Sequence, residues 1–210
     1  MPLLEVSNLR IRLQTHRGPA DAVRGVSFSL ARGETLGLIG ESGCGKSITA
    51  MSLMGLLPES AQASGSIRFD GQELVGRTDA QMCQMRGNRI GMVFQEPMTA
   101  LNPVHTIGRQ VAEPLRLHRG MNAAAARTEA IALLDRVGIP NAAQRFDAYP
   151  HQFSGGQRQR ITIAMALACG PDLLIADEPT TALDVTIQQQ ILDLISDLVA
   201  ERNMALILIS

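Results

Sequence analysis

The chain has 210 residues, 45% hydrophobic and 19% charged, with a formal net charge of −1. That length allows one domain, with room for an inserted lobe, and gives ample material for a core. The weak charge, 3% aromatic content and lack of Trp exclude the basic field and stacking platforms of a nucleic-acid binder, so no nucleic-acid partner is expected.

Residues 3–13 read as a strand. Val23 to Leu30 alternates, with Val26, Phe28 and Leu30 on one face and Ser27 and Ser29 on the other, which predicts a half-buried strand. A third strand, Thr35 to Ile39, runs into a glycine loop and then a helix, Ile48 to Leu57, ended by Pro58. Ser66 to Phe69 is a short strand closed by the hairpin turn Asp70-Gly71. Arg89 to Gln95 is a buried strand. From about Thr106 to Val137 the pattern turns helical, with Asn122 as a cap and Gly138 as a stop. A helix follows Ser154. The apolar run Leu173 to Ala176 reads as a buried parallel strand. Asp184 caps a long helix with Ile187, Ile191, Leu194 and Leu198 on one face, and Met204 to Ile209 is the last apolar run.

Strands alternating with helices predict an α/β fold with a mostly parallel sheet covered on both faces and an antiparallel part near the N-terminus. The helical stretch from about 97 to 165 reads as a lobe inserted into it. No stretch approaches the 18 consecutive apolar residues of a membrane span, and the start does not read as a signal peptide. Cys44, Cys83 and Cys169 are too few and scattered for a disulfide framework or metal site, which fits a reducing setting. His16, His105, His118 and His151 lack ligand spacing and read as surface or structural.

Three motifs carry chemistry. Residues 40–47, Gly-Glu-Ser-Gly-Cys-Gly-Lys-Ser, match G-x-x-x-x-G-K-S between a strand and a helix. The glycines let backbone amides turn toward one anion, and the helix N-terminus adds positive potential. The loop Gly40, Glu41, Ser42, Gly43, Cys44, Gly45, Lys46 and Ser47, with Ile48 beyond it, is the expected triphosphate cradle. Lys46 reaches the β- and γ-phosphates, and Ser47 offers a hydroxyl to Mg²⁺. The second motif, Asp177-Glu178-Pro179, ends a buried strand at the sheet edge where ligands sit. Asp177 is expected to hold Mg²⁺ directly or through water, and Glu178 to act as general base toward the attacking water. Gln95 ends its own strand and is expected at the same edge, touching Mg²⁺ or that water. The third motif is Phe153-Ser154-Gly155-Gly156-Gln157-Arg158-Gln159-Arg160 before an apolar helix. It is a second helix N-terminus suited to an anion, and one nucleotide already has its cradle. The physical reading is that this second end serves a nucleotide held by another copy or partner.

This set, with Gln95, the run Leu173 to Pro179 and Ala182-Leu183-Asp184, resembles the nucleotide-binding subunit of an ABC transporter over nearly the whole chain. The stretch Gln95 to Gly108, Tyr149-Pro150-His151-Gln152 and the run Asp177 to Thr186 are similar to the dipeptide/oligopeptide/nickel importer branch. The resemblance implies a P-loop NTPase (RecA-like) fold, with residues 1–95 and 166–210 as ATP-binding core and 96–165 as a helical subdomain. It implies ATP and Mg²⁺ as ligands and ATP hydrolysis as the activity. Ser154, Gly155, Gly156 and Gln157 would complete the ATP site of a second nucleotide-binding subunit, identical or homologous, with Asp184 in the loop linking the two sites. Two membrane permease subunits and, indirectly, a solute-binding protein follow as partners, with the chain peripheral on the cytoplasmic face of the plasma (inner) membrane. Peptide uptake is the expected cargo class, with nickel and glutathione open. The first half of a fused two-cassette protein and a hydrolysis-poor regulatory module stay as alternatives.

Two departures stand out. The family stacks an aromatic side chain on the adenine, and the corresponding stretch here, Leu13-Gln14-Thr15-His16-Arg17, has none, leaving Leu13 or His16 to pack on the base. The family's switch histidine would be the next residue after Leu208-Ile209-Ser210. The expectation is a truncated chain that binds Mg-ATP and hydrolyses it poorly.

Overall fold

The strand-like runs sort into two sheets of opposite character. The computed structural model describes residues 2–16, 18–181 and 183–210, with Pro97 and Met98 as backbone. Arg17 of the adenine-side stretch and Ala182 of the linking loop lie outside the described residues. The antiparallel sheet takes β1 (Leu4–Thr15), β2 (Gly18–Leu30), β4 (Ala61–Phe69) and β5 (Gln72–Glu73) in the order β2-β1-β4-β5. The parallel sheet takes β3 (Thr35–Leu38), β6 (Ile90–Val93), β7 (Leu173–Asp177) and β8 (Ala205–Ile209) in the order β3-β8-β7-β6. Phe69 pairs with Gln72 across Asp70-Gly71, both at positive φ, so the expected two-residue hairpin turn forms.

The expected alternation in β2 holds at Leu30 but not at Val26, which is 39% exposed. The β1–β2 register shifts between Val6 and Leu9, between Leu9 and Arg10, and between Ile11 and Arg12. Each bulge adds a residue on one strand and exchanges the faces beyond it.

The helices are α1 (Lys46–Leu53), α2 (Asp79–Cys83), α3 (Pro97–Ala100), α4 (Ile107–Arg119), α5 (Ala123–Arg136), α6 (Ala142–Arg145), α7 (Gly155–Leu167) and α8 (Val185–Glu201), with a 3₁₀ turn at Pro150–Gln152. Asn122 caps α5 by accepting from Ala125 N–H at 2.9 Å, and Asp184 caps α8 by accepting from Ile187 N–H at 3.0 Å. Among the described residues no helix is long and apolar enough to cross a membrane.

The parallel sheet separates two apolar cores. Along β7, Leu173 and Ile175 join the core beneath the antiparallel sheet and α1. Leu174 and Ala176 join the core built with α4, α5, α7 and α8. The period-2 geometry of a strand forces this partition, and the full burial of β7 follows from both faces being covered. An ionic cluster ties the sheets at one edge. Asp172, just before β7, accepts from Arg32 and Arg89, and Arg89 also donates to Asp70 Oδ2 at 2.8 Å in the β4–β5 turn.

Candidate functional site

The turn from β3 to α1 depends on glycine at particular positions. Gly43 and Gly45 adopt φ of +81° and +100°, which L side chains rarely reach. A Cβ on Gly45 would stand 2.6 Å from the Ala22 carbonyl oxygen, and one on Gly40 would stand 2.8 Å from Cys44 Sγ. Gly45 caps α1 without a side-chain acceptor, so the first-turn amides are left for another group. Lys46 Nζ donates to the carbonyls of Gly40 at 2.5 Å and Glu41 at 3.0 Å, which holds the ammonium against its own loop.

Beside this loop the two residues expected at a divalent cation meet. Ser47 Oγ donates to Asp177 Oδ1 at 3.1 Å, across 130 residues of sequence. Asp177 ends β7 and is 5% exposed. Burial pushes its carboxyl above the ordinary carboxylate value; the Ser47 hydrogen bond and the Lys46 charge oppose this, and the charge of Glu178 adds to it. A buried carboxylate beside a hydroxyl suits a hard cation with oxygen ligands.

Glu178 follows at φ +44°, a left-handed backbone uncommon for a residue with a side chain. Its Oε2 accepts from Gln95 Nε2 at 2.8 Å and from Thr181 Oγ1 at 2.9 Å. Gln95 thus lies at the expected strand edge, with its hydrogen bond going to Glu178 and not to the Ser47–Asp177 pair. Thr181 was not singled out in the sequence. Its only signal is a hydroxyl three residues after Glu178, where a turn brings it back.

A cavity of about 390 Å³ collects Leu13, Lys46, Ser47, Ile48, Gln95 and Glu178. The strand run of the adenine-side stretch thus brings Leu13 to the cavity wall. A larger cavity, about 570 Å³, lies along the same loop beside Arg24, Val26, Ile39, Cys44 and Thr49. It contains neither Gln95 nor Glu178, so size and chemistry do not coincide. The residues fit a polyphosphate with a divalent cation at the smaller cavity: glycine-loop amides left free at the start of α1, the Lys46 ammonium, and Ser47, whose hydroxyl donates to Asp177.

The third motif lies apart. Ser154, Gly155, Gly156, Gln157 and Asp184 form no part of that cavity's lining. Ser154 and Gln157 form a reciprocal cap on α7: Gln157 N–H donates to Ser154 Oγ at 3.3 Å, and Ser154 N–H to Gln157 Oε1 at 3.2 Å. A Cβ on Gly156 would meet Ile187 Cγ2 at 2.9 Å, so packing against the start of α8 already requires a glycine there.

The sequence profile of the ABC transporter family matches residues 23–181. The chain is 53% identical over 210 residues to the dipeptide transport ATP-binding protein DppD of Bacillus subtilis (strain 168), which covers 99% of this chain and 63% of that protein. It is 51% identical over 209 residues to the oligopeptide transport ATP-binding protein OppD of Haemophilus influenzae (strain ATCC 51907 / DSM 11121 / KW20 / Rd), covering 100% of this chain and 65% of that one. The chain thus spans somewhat less than two thirds of the length of these curated relatives. Among solved structures, the dimeric ATP-binding cassette MJ0796 bound to ADP and Pi in a post-hydrolysis state superposes with a TM-score of 0.87 at 28% identity, over 99% of this chain and 87% of that one. The glycine cradle, the carboxylate pair at the end of β7 and the capped glycine turn of α7 occur in one chain, under a profile that spans most of it. By that convergence the chain belongs to the ABC transporter family.

Proposed function

We propose that this chain binds Mg-ATP in the 390 Å³ cavity and is the ATP-binding and ATP-hydrolysing subunit of an importer of di- or oligopeptides. One observation carries the proposal: Lys46, Ser47, Gln95 and Glu178 line one cavity with Gly43 and Gly45, and Ser47 holds Asp177 by a hydrogen bond. In this reading the amides of residues 40–48 and Lys46 hold the β- and γ-phosphates. Ser47, Asp177 and Gln95 would hold Mg²⁺, whose chemistry is to neutralise charge on the phosphate oxygens. Glu178 takes a proton from the attacking water, with Thr181 orienting its carboxylate. Leu13 packs near the base, where the family places an aromatic ring.

The cargo class follows from the dipeptide and oligopeptide transport names of the two relatives. We further propose residues 1–95 and 166–210 as the ATP-binding core and 96–165 as the helical subdomain that docks on two membrane permease subunits, with a solute-binding protein acting upstream. The chain then works at the cytoplasmic face of the inner membrane. A second cassette would bring its own Ser154–Gln157 turn and Asp184 to the nucleotide held here, a reading supported by the dimeric structure of the MJ0796 cassette.

Titration of the purified chain with Mg-ATP tests the reading. Saturable binding is expected, weakened about tenfold or more in Lys46→Ala, because a charge-assisted hydrogen bond to phosphate is lost. Undiminished affinity in that variant rejects this cavity as the nucleotide site.

A further inference from the structure

Gln159 stands in the middle of α7 with its side chain fully buried, and neither its Nε2 nor its Oε1 has a hydrogen-bond partner. Among the described residues it is the one buried side chain in that condition. An unpartnered amide in an apolar setting costs stability, and methionine or leucine would fill the same space without that cost.

Its neighbours on the helix face give the amide a context. One turn toward the N-terminus, Gly155 faces Leu183 and Gly156 faces Ile187, both in the segment that follows Glu178. One and two turns toward the C-terminus, Thr162 and Ala166 line a cavity with Phe94 and Ala100, on the segment that carries Gln95. Helix α3, within that same segment, packs on α7. Gln159 therefore lies on the seam where the Gln95 segment and the Glu178 segment meet the helix whose N-terminus bears Ser154. Gln95 and Glu178 hold each other at 2.8 Å beyond that seam.

We propose that Gln159 is a positioning residue whose buried amide takes main-chain partners from residues 94–101 when Mg-ATP occupies the site, fixing the Gln95 segment to α7. The inference rests on the nucleotide reading given above. In that reading Mg-ATP competes for the Gln95 side chain, the Gln95–Glu178 bond opens, and the 94–101 segment moves relative to α7. Hydrogen bonds made only in the loaded state favour that state over the other, which is the requirement for a ligand to shift a conformation. A donor and acceptor that are unsatisfied beforehand make the difference larger, because their earlier cost is relieved at the same moment.

Backbone hydrogen exchange on the full chain, with and without Mg-ATP, tests this in the native protein and in Gln159→Met. In the native chain, Mg-ATP is expected to slow exchange at residues 40–47 and, by about tenfold or more, at 94–101. In Gln159→Met the slowing at 40–47 persists, and that at 94–101 falls to about twofold or less. Equal slowing at 94–101 in the two proteins overturns the role of Gln159 and leaves the nucleotide site intact. No slowing at 40–47 in the native chain removes the nucleotide reading and this inference with it. The nucleotide-free Gln159→Met chain should melt no lower than the native one, whereas an amide with a merely structural role would lower the midpoint when removed. A second measurement needs no variant: the side-chain amide protons of Gln159, followed by NMR in the native chain, should move downfield and exchange more slowly with Mg-ATP. Resonances that stay in place overturn the proposal.

Discussion

At Asp172 one carboxylate accepts from two arginines, one in the turn before β3 and one at the start of β6. Burial works to raise its pKa, and the hydrogen bonds and charges of Arg32 and Arg89 prevail, so the group titrates below its ordinary range. A depressed folded-state pKa contributes stability above the unfolded value and loses it as pH falls through the folded one. Stability should therefore hold down to about pH 4 and decline below it. Asp172→Asn should cost about 1–3 kcal/mol at pH 7 and flatten that acid limb, as read from urea midpoints across pH. At this scale the sequence was most legible where a residue type is chemically obligatory. Ser47 and Asp177, expected side by side from their types and settings, stand 3.1 Å apart. Thr181 and Asp172 were not legible, because their partners are chosen by turns and strand ends that no local pattern encodes.

The same division runs through the elements. Asn122, Ser154 and Asp184 were readable as caps because a short polar side chain before an apolar period has few other uses. The face of β2 was not, because the bulges opposite it depend on how β1 pairs. Helix α2 was missed, although Thr78 and Gln81 form a reciprocal cap on it, since five residues are too few to show a period. One contact between elements was equally hidden. Gly91 in β6 lies so close to α7 that a Cβ would stand 2.4 Å from the Ala166 carbonyl oxygen. Backbone on both sides leaves little room to yield. Gly91→Ala should thus lower unfolding free energy by about 1–3 kcal/mol, measured by chemical denaturation.

For the whole molecule, the α/β class was legible from strand–helix alternation, whereas the division of the strands into two separate sheets of four and the partition into two cores were not. That partition needs to know which helix covers which face. The proposed function turns, at this scale, on closure between copies. Glu178→Gln keeps an acceptor for Thr181 but removes the proposed base, so turnover should fall by about 100-fold or more. With Mg-ATP bound and unhydrolysed, light scattering should show the mass of a dimer; a monomer under those conditions argues against the shared site. The odd and even residues of β7 answer to different cores. A change in volume at Ile175 is felt under α1, and one at Leu174 under α7. The strand works as a party wall: each side can be refurnished alone, while the carboxylate at its end keeps the position that both sides require.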